Sequence, residues 1–218
     1  MVGRWRDGTS LVRYPHAPGT GWDGKRVREP DNSFLFGAED PLGERCPYGS
    51  HIRRTNPRES FTPGSTDQLA ISNRHRMLRV GRSYAANPAK DIPRPGLMFM
   101  CINADIERQF EFIQQTWAMS THFQGLDGEV DPILGRGLKG GRLTVPTEEG
   151  PLLVTGFKDF VTVRGGGYFF MPSRRAICYL AGRTSVTNWK YSIVGPQPEH
   201  PEAVPDEEGV FDVRQMGL

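Results

Sequence analysis

The chain carries five histidines, at 16, 51, 75, 122 and 200. None falls into an HxxxH or HExxH spacing, so a multi-histidine metal site has no support. His51 differs in its neighbours, Cys46-Pro-Tyr-Gly-Ser-His51-Ile-Arg-Arg-Thr-Asn-Pro-Arg58. Gly49 and Ser50 leave space directly before the imidazole, and Arg53, Arg54 and Arg58 place fixed positive charge after it. One imidazole with adjacent guanidinium groups suits a metal macrocycle that carries carboxylates. The metal takes one axial nitrogen and the carboxylates pair with arginine, as haem would. A structural or surface histidine is the plainer alternative, and the spacing leaves both standing.

The arginines cluster. Eight of them lie between Arg45 and Arg82 (45, 53, 54, 58, 74, 76, 79 and 82), against Glu59 and Asp67. Such a segment wants an anion. Its second half, Arg74-His-Arg-Met-Leu-Arg79-Val-Gly-Arg-Ser-Tyr84, allows three uses. It could be a solvated charged edge, or a nucleic-acid surface with Arg on phosphate and Tyr84 stacked on a base. It could also place one guanidinium over a haem face, stabilising charge as a peroxide O–O bond breaks. Few aromatics interleave the block (Tyr48 and Phe61), which makes a poor stacking platform. Gly135-Arg-Gly137-Leu-Lys-Gly140 matches GxGxxG by letter. It lacks the strand before and the helix after that a dinucleotide fingerprint needs, because Arg142–Pro146 reads as extended; a Gly-rich loop is the better assignment.

The elements that must position these residues follow from pattern. Residues 1–45 carry DG, PG and PDNS turn signals and read as an ordered loop or extended arm. Prolines at 47, 57, 63, 88, 93 and 95 punctuate the Arg-rich block, leaving His75–Val80 as its best regular run. Leu97–Asn103 is a continuous apolar run, the mark of a buried strand. Ile106, Phe110, Ile113 and Trp117 then share one helical face across Ala104–Met119, with Asn103 or Asp105 as N-cap. Phe160–Val163 and Tyr168–Met171 read as two strands, and Ser173 caps a helix over Arg174–Ala181 that ends at Gly182. A final strand is expected near Trp189–Val194. The order is βαββαβ, an α+β ferredoxin-like sandwich with a loop-rich N-terminal arm. The expected layout is an arm over 1–94, the sandwich over 95–195 and an exposed tail over 196–218.

Composition narrows the class. The 218 residues hold 27 basic and 25 acidic side chains, so the whole chain is no polyanion binder. Of the basic residues 22 are Arg, a bias that genome composition alone can produce. Gly 26 and Pro 18 are too many for a helix bundle and too few for a collagen-like or disordered chain. No run approaches the ~20 apolar residues that span a bilayer, and no secretory signal is visible. Cys46, Cys101 and Cys178 are odd in number and lack CxxC spacing, which argues against a disulfide scaffold and a zinc site. Cys101 and Cys178 read as small buried hydrophobes, and a reducing, cytoplasmic setting fits.

Taken together, CPYGSHIRRTNPR (46–58), RHRMLRVGRSY (74–84), GLMFMCINADIERQFEFIQQTW (96–117), DPILG (131–135) and FVTVRGGGYFFMPS (160–173) resemble the dye-decolorising-type haem peroxidases. They are most similar to the longer fungal and bacterial members. The resemblance implies two ferredoxin-like domains with haem b, one per chain, in a cavity of the second. By the matching positions it implies His51 as proximal iron ligand and Arg79 as distal arginine. It also implies Asp131, with Glu129 competing, as acceptor of the imidazole N–H, and Arg54 as a propionate partner. Hydrogen peroxide and a phenolic or dye-like electron donor would be the substrates. The family's distal aspartate sits in a GxxDG motif, commonly GFxDG. Here Gly3-Arg-Trp-Arg-Asp7-Gly8 is one residue too long, so Asp7 reads as a turn residue. The chain is therefore expected to be the haem-binding second half, working with a companion chain or as a homo-oligomer, and without a membrane. A non-catalytic haem-binding or sensing half-domain is the second reading, and an Arg-rich nucleic-acid module the third.

Overall fold

Short helices come first in the computed structural model, which describes residues 1–19, 32–87, 89, 94–135 and 141–182. These are α1 (Phe36–Glu39), α2 (His51–Thr55) and α3 (Thr66–Arg74). An antiparallel hairpin follows, β1 (Leu78–Tyr84) with β2 (Gly96–Ile102). Two π-helical segments, Glu107–Glu111 and Ile113–Ala118, and a 3-10 turn at Phe123–Gly125 lead to a second hairpin, β3 (Gly141–Val145) with β4 (Leu152–Phe157). The last described element is α4 (Arg174–Leu180). The two hairpins are separate two-stranded sheets. Contacts divide the chain into two compact units, Met1–Thr162 and Val163–Leu218.

Local chemistry explains where the helices stop. The Ser65 hydroxyl accepts the Gln68 N–H at 3.1 Å and opens α3, a side-chain N-cap. Residue 56 precedes Pro57 and is pushed out of helical geometry, so α2 cannot extend past one turn. Hydrophobic burial is organised around that turn. Val12, Phe34, Phe36 and Cys46 form one buried cluster with Leu11 and Ile52 against it. Ile113, Trp117 and Phe123 form another, with Met77 and Phe112. Adjacent arginines of α2 reach one cluster each: the Arg53 guanidinium lies 4.7 Å from the Phe36 ring and that of Arg54 lies 5.0 Å from Phe123. Arg53 is fully buried and pairs with Asp40 at 3.1 Å while also donating to the Asp40 and Cys46 carbonyls and to Ser60. Removing one partner of such a pair costs about 3–5 kcal/mol, because the other charge stays buried.

The helical run after β2 forms where the apolar period places it. Asp105 accepts the Arg108 N–H at 3.0 Å, and Gln109 returns the bond by accepting from Ala104 and Asp105, a reciprocal cap. Its geometry is π rather than α: Glu111 N–H bonds Ile106 and Met119 N–H bonds Gln114, each five residues back. Of the expected face, Ile113 and Trp117 are buried, and Ile106 and Phe110 are half-buried.

Several expectations are corrected. The apolar run at 97–103 does form a strand, β2, but it is not a buried one: Leu97 is 67% exposed and Phe99 50%. Phe160–Val163 and Tyr168–Met171 pair with no strand among the described residues, and Phe169 and Phe170 are largely exposed. An uninterrupted apolar run reads as a strand covered on both faces, whereas Phe160, Val163, Phe169 and Phe170 are exposed among the described residues. The hairpin instead forms from β3 and β4, whose outward side chains are mixed and whose Leu143 is buried. Helix α4 agrees with expectation, including its cap: Ser173 accepts the Ala176 N–H at 3.2 Å. Cys178 is buried, whereas Cys101 is only half-buried. No helix among the described residues is long and apolar enough to cross a membrane. The expected strand at Trp189–Val194, the tail at 196–218 and most of the Gly-rich loop lie outside the described residues.

Candidate functional site

α2 begins on His51, and the loop that leaves the second π segment ends on Asp131. Their side chains meet. His51 Nδ1 lies 2.7 Å from Asp131 Oδ2, with Asp131 fully buried and the imidazole 29% exposed. Asp131 Oδ1 accepts the backbone N–H groups of Ile133 and Leu134, at 2.9 and 3.0 Å, so the carboxylate is fixed from below by its own turn. Burial alone would raise the Asp131 pKa. The hydrogen bond and charge of His51, with the two backbone donors, outweigh that and lower it. An ionised carboxylate only accepts, so Nδ1 carries the proton. In the neutral ring Nε2 is then a lone pair, and no hydrogen bond engages it among the described residues.

Glu129, the competing assignment, does a different job. It is buried and accepts from the Thr144 N–H at 3.1 Å and from the Thr144 hydroxyl, tying the Asp131 loop to β3. Space before the imidazole is not left for a ligand either. A Cβ on Gly49 would stand 2.7 Å from Leu143 Cδ1, so glycine there admits β3. Ser50 is buried and shares a 3.1 Å contact with Cys46 Sγ. Burial pushes the Cys46 thiol up to about 11, so it stays protonated at neutral pH.

Arg54 is placed in the interior, with its Nη atoms turned to the chain's own carbonyls. The side chain is fully buried. Its Nη1 donates to the carbonyls of Trp117, Ala118 and Ser120, and Nη2 to that of Glu129, at 2.8–3.3 Å. The expected external carboxylate is replaced by the chain's own backbone. This role escaped the sequence because all four acceptors lie more than sixty positions away. Burial lowers the Arg54 pKa, and Asp131 and Glu129 offset part of that.

Arg79 stands on β1 opposite Cys101, exposed, and makes no hydrogen bond or ion pair to His51 or Asp131. The structure thus brings His51, Asp131 and Arg54 into one network and leaves Arg79 outside it. Among the clustered arginines, Arg58 is also consumed internally: it lies 3.9 Å from the Phe34 ring and donates to the Asn32 and Phe34 carbonyls. Arg74, Arg76 and Arg82 are exposed with Arg79. Asp7 accepts from the N–H and hydroxyl of Thr9, a turn.

An imidazole oriented by a buried carboxylate, with its other nitrogen free, is the arrangement of a metal-ligating histidine. No family model matches the chain. The multifunctional dye peroxidase DyP2 of Amycolatopsis sp. is 37% identical over 191 residues, covering 79% of this chain and 39% of that protein. Dye-decolorizing peroxidase AauDyP1 of Auricularia auricula-judae is 31% identical over 199 residues, covering 81% and 38%. Among solved structures, a DyP-type peroxidase from Anabaena sp. superposes with TM-score 0.58 at 27% identity, covering 73% of this chain and 33% of that one. The chain belongs to the dye-decolorising-type peroxidases, whose solved members have a ferredoxin-like α+β fold. It spans about two fifths of the length of the curated relatives it matches.

Two outcomes are expected. Arg54→Lys keeps the charge but can satisfy only part of this carbonyl cluster. Each buried acceptor left unpaired costs about 1–3 kcal/mol, so urea unfolding should show a loss of at least ~3 kcal/mol. Asp131 has a folded pKa below its unfolded one. Its stabilisation is therefore complete above pH ~4 and lost as pH falls through the folded value. Asp131→Asn should flatten that acid limb of the stability curve measured by thermal melting.

Proposed function

We propose that this chain is the haem-binding half of a dye-decolorising-type peroxidase, with His51 Nε2 as the axial ligand of one haem b. The observation that carries this reading is the 2.7 Å contact between His51 Nδ1 and the buried, ionised Asp131, which leaves Nε2 free. The donor set fits an iron; Arg54 does not fit a propionate. The succession of β2, the helical run, β3, β4 and α4 supports a ferredoxin-like sandwich within 95–195, preceded by an arm over 1–94 that carries His51 and Arg79.

Bound haem would supply the redox centre at which hydrogen peroxide is reduced and an aromatic donor oxidised. The protein's part is positional and electrostatic. Asp131 holds the Nδ1 proton, fixes the ring's tautomer and plane, and makes Nε2 a stronger donor. Arg79 brings an exposed guanidinium with no ion pair among the described residues, able to stabilise charge that develops on a peroxide oxygen. No GFxDG occurs in the chain to supply a distal proton carrier. The second reading is a non-catalytic haem binder; loss of a general acid/base costs about 10²–10⁴-fold in rate. The exposed apolar side chains of the first hairpin, Leu97, Met98, Phe99 and Met100 among them, support a working form in which a companion chain or a second copy covers them.

Titrating the chain with hemin should give a Soret band that His51→Ala abolishes. The absence of a band in the wild type would overturn both haem readings. With peroxide and a dye, turnover that Arg79→Leu removes marks a peroxidase, and its absence marks a binding half. Sizing chromatography of the purified chain should show a species larger than 24.4 kDa; a stable, soluble monomer would count against a covered hairpin.

A further inference from the structure

We propose that residues 1–3 form a positioning strap for His51, with Gly3 as the residue that lets the strap lie against α2. This rests on the reading of His51 as an axial ligand. The first N–H groups of any helix lack partners within it. In α2 the residue at the N-cap is Ser50, yet its hydroxyl makes no capping bond because it is engaged with Cys46 Sγ at 3.1 Å. The carbonyls of Met1 and Val2 take over. The His51 N–H donates to Met1 O at 2.9 Å and the Ile52 N–H to Val2 O at 3.0 Å. The backbone of the ligating residue is thus bonded directly to the arm.

Gly3 makes that approach possible. Its φ is +94, a conformation that L side chains rarely adopt. A Cβ there would stand 2.5 Å from Ile52 Cγ1 and 3.1 Å from Cys46 Sγ. Beyond Gly3 the arm is anchored rather than loose. Leu11 N–H donates to Gly3 O at 3.2 Å, Arg4 bridges to Ser10, and Trp5 Nε1 donates to the Tyr14 carbonyl at 2.7 Å. Leu11 and Ile52 then pack on the same buried cluster.

Asp131 is held by a separate set of bonds, to Ile133, Leu134 and the Ala118 carbonyl. Arg54 joins the two halves through the Ala118 carbonyl, and the strap bonds only to the His51 half. Disturbing the strap should move the imidazole relative to a carboxylate that stays in place.

The test follows the imidazole proton in the chain without hemin. In histidine-labelled wild type, the His51 Nδ1–H should give a downfield, slowly exchanging NMR signal, absent in Asp131→Asn. Gly3→Ala should lose it and bind hemin about tenfold or more weakly, the scale seen when a metal ligand's supporting contacts are disturbed. Gly150→Ala, at a positive-φ glycine with no atom near its Cβ, should keep signal and affinity while sharing the backbone strain. Should Gly3→Ala not fold, Ile52→Val loosens the same contact mildly and should speed exchange of the proton several-fold. A wild-type signal and wild-type hemin affinity in both strap variants would overturn the strap. A wild type that binds no hemin would instead overturn the haem reading, and the NMR signal would still judge the strap.

Discussion

The structure of the first unit turns on one buried guanidinium. Arg54 extends from α2 and gathers four carbonyls, three at the end of the π-helical run and one beside Asp131. A helix of five residues has no stability of its own. What fixes α2 is that Arg54 binds it to the helical run and the Asp131 loop at one point, while Arg53 binds it to Asp40 and the arm. A planar cation with donors in a fixed fork can do this, and a flexible ammonium cannot. Because His51 and Arg54 share the helix, the same contacts set the distance between imidazole and carboxylate.

The site is accordingly built from three supports that meet only in the folded chain. Residues 1–3 hold the start of α2. Arg54 holds the same helix one turn later, against the carbonyl cluster. β3 holds the Asp131 loop through Glu129 and Thr144, and its Leu143 presses on Gly49. Each support uses small residues where backbones approach and buried polar bonds where loops end. The result is a preorganised imidazole with one open nitrogen, placed on an element too short to position it alone. The first hairpin is the opposite case. Its strands pair in full register, yet its apolar side chains face solvent, so pairing and burial are decoupled there.

Much of the site was legible before any coordinates. His51 and Asp131 were singled out by the resemblance of their segments to a family pattern, and the structure brings their side chains together. The Ser173 cap and the strand after Gly96 followed from local signals that need no distant partner. Arg54 is visible in the sequence as a residue, but its neighbours are not: clustered positive charge announces an anion, and four backbone carbonyls engage its Nη atoms. The strands expected at 160–163 and 168–171 failed for a related reason. An apolar run states that cover is needed and does not supply it. The π geometry of 107–118 left no trace in the period, because the buried face it presents is nearly that of an α-helix.

By itself the sequence determined the chemistry available: one imidazole beside a small-residue turn, an acidic residue before a proline, an excess of arginine, and a family likeness. Side-chain identity, caps and turn residues are local properties, and local properties can be read in order. Tertiary structure decided which charges are spent and which are free. It buried Arg53 and Arg54 in the protein's own acceptors, engaged half-buried Arg58 with carbonyls, left Arg79 exposed, chose Asp131 over Glu129, and recruited Met1 and Val2 to hold His51. Those choices depend on which backbone carbonyl or carboxylate arrives within about 3 Å of a donor, and that distance is set by packing between segments dozens of residues apart.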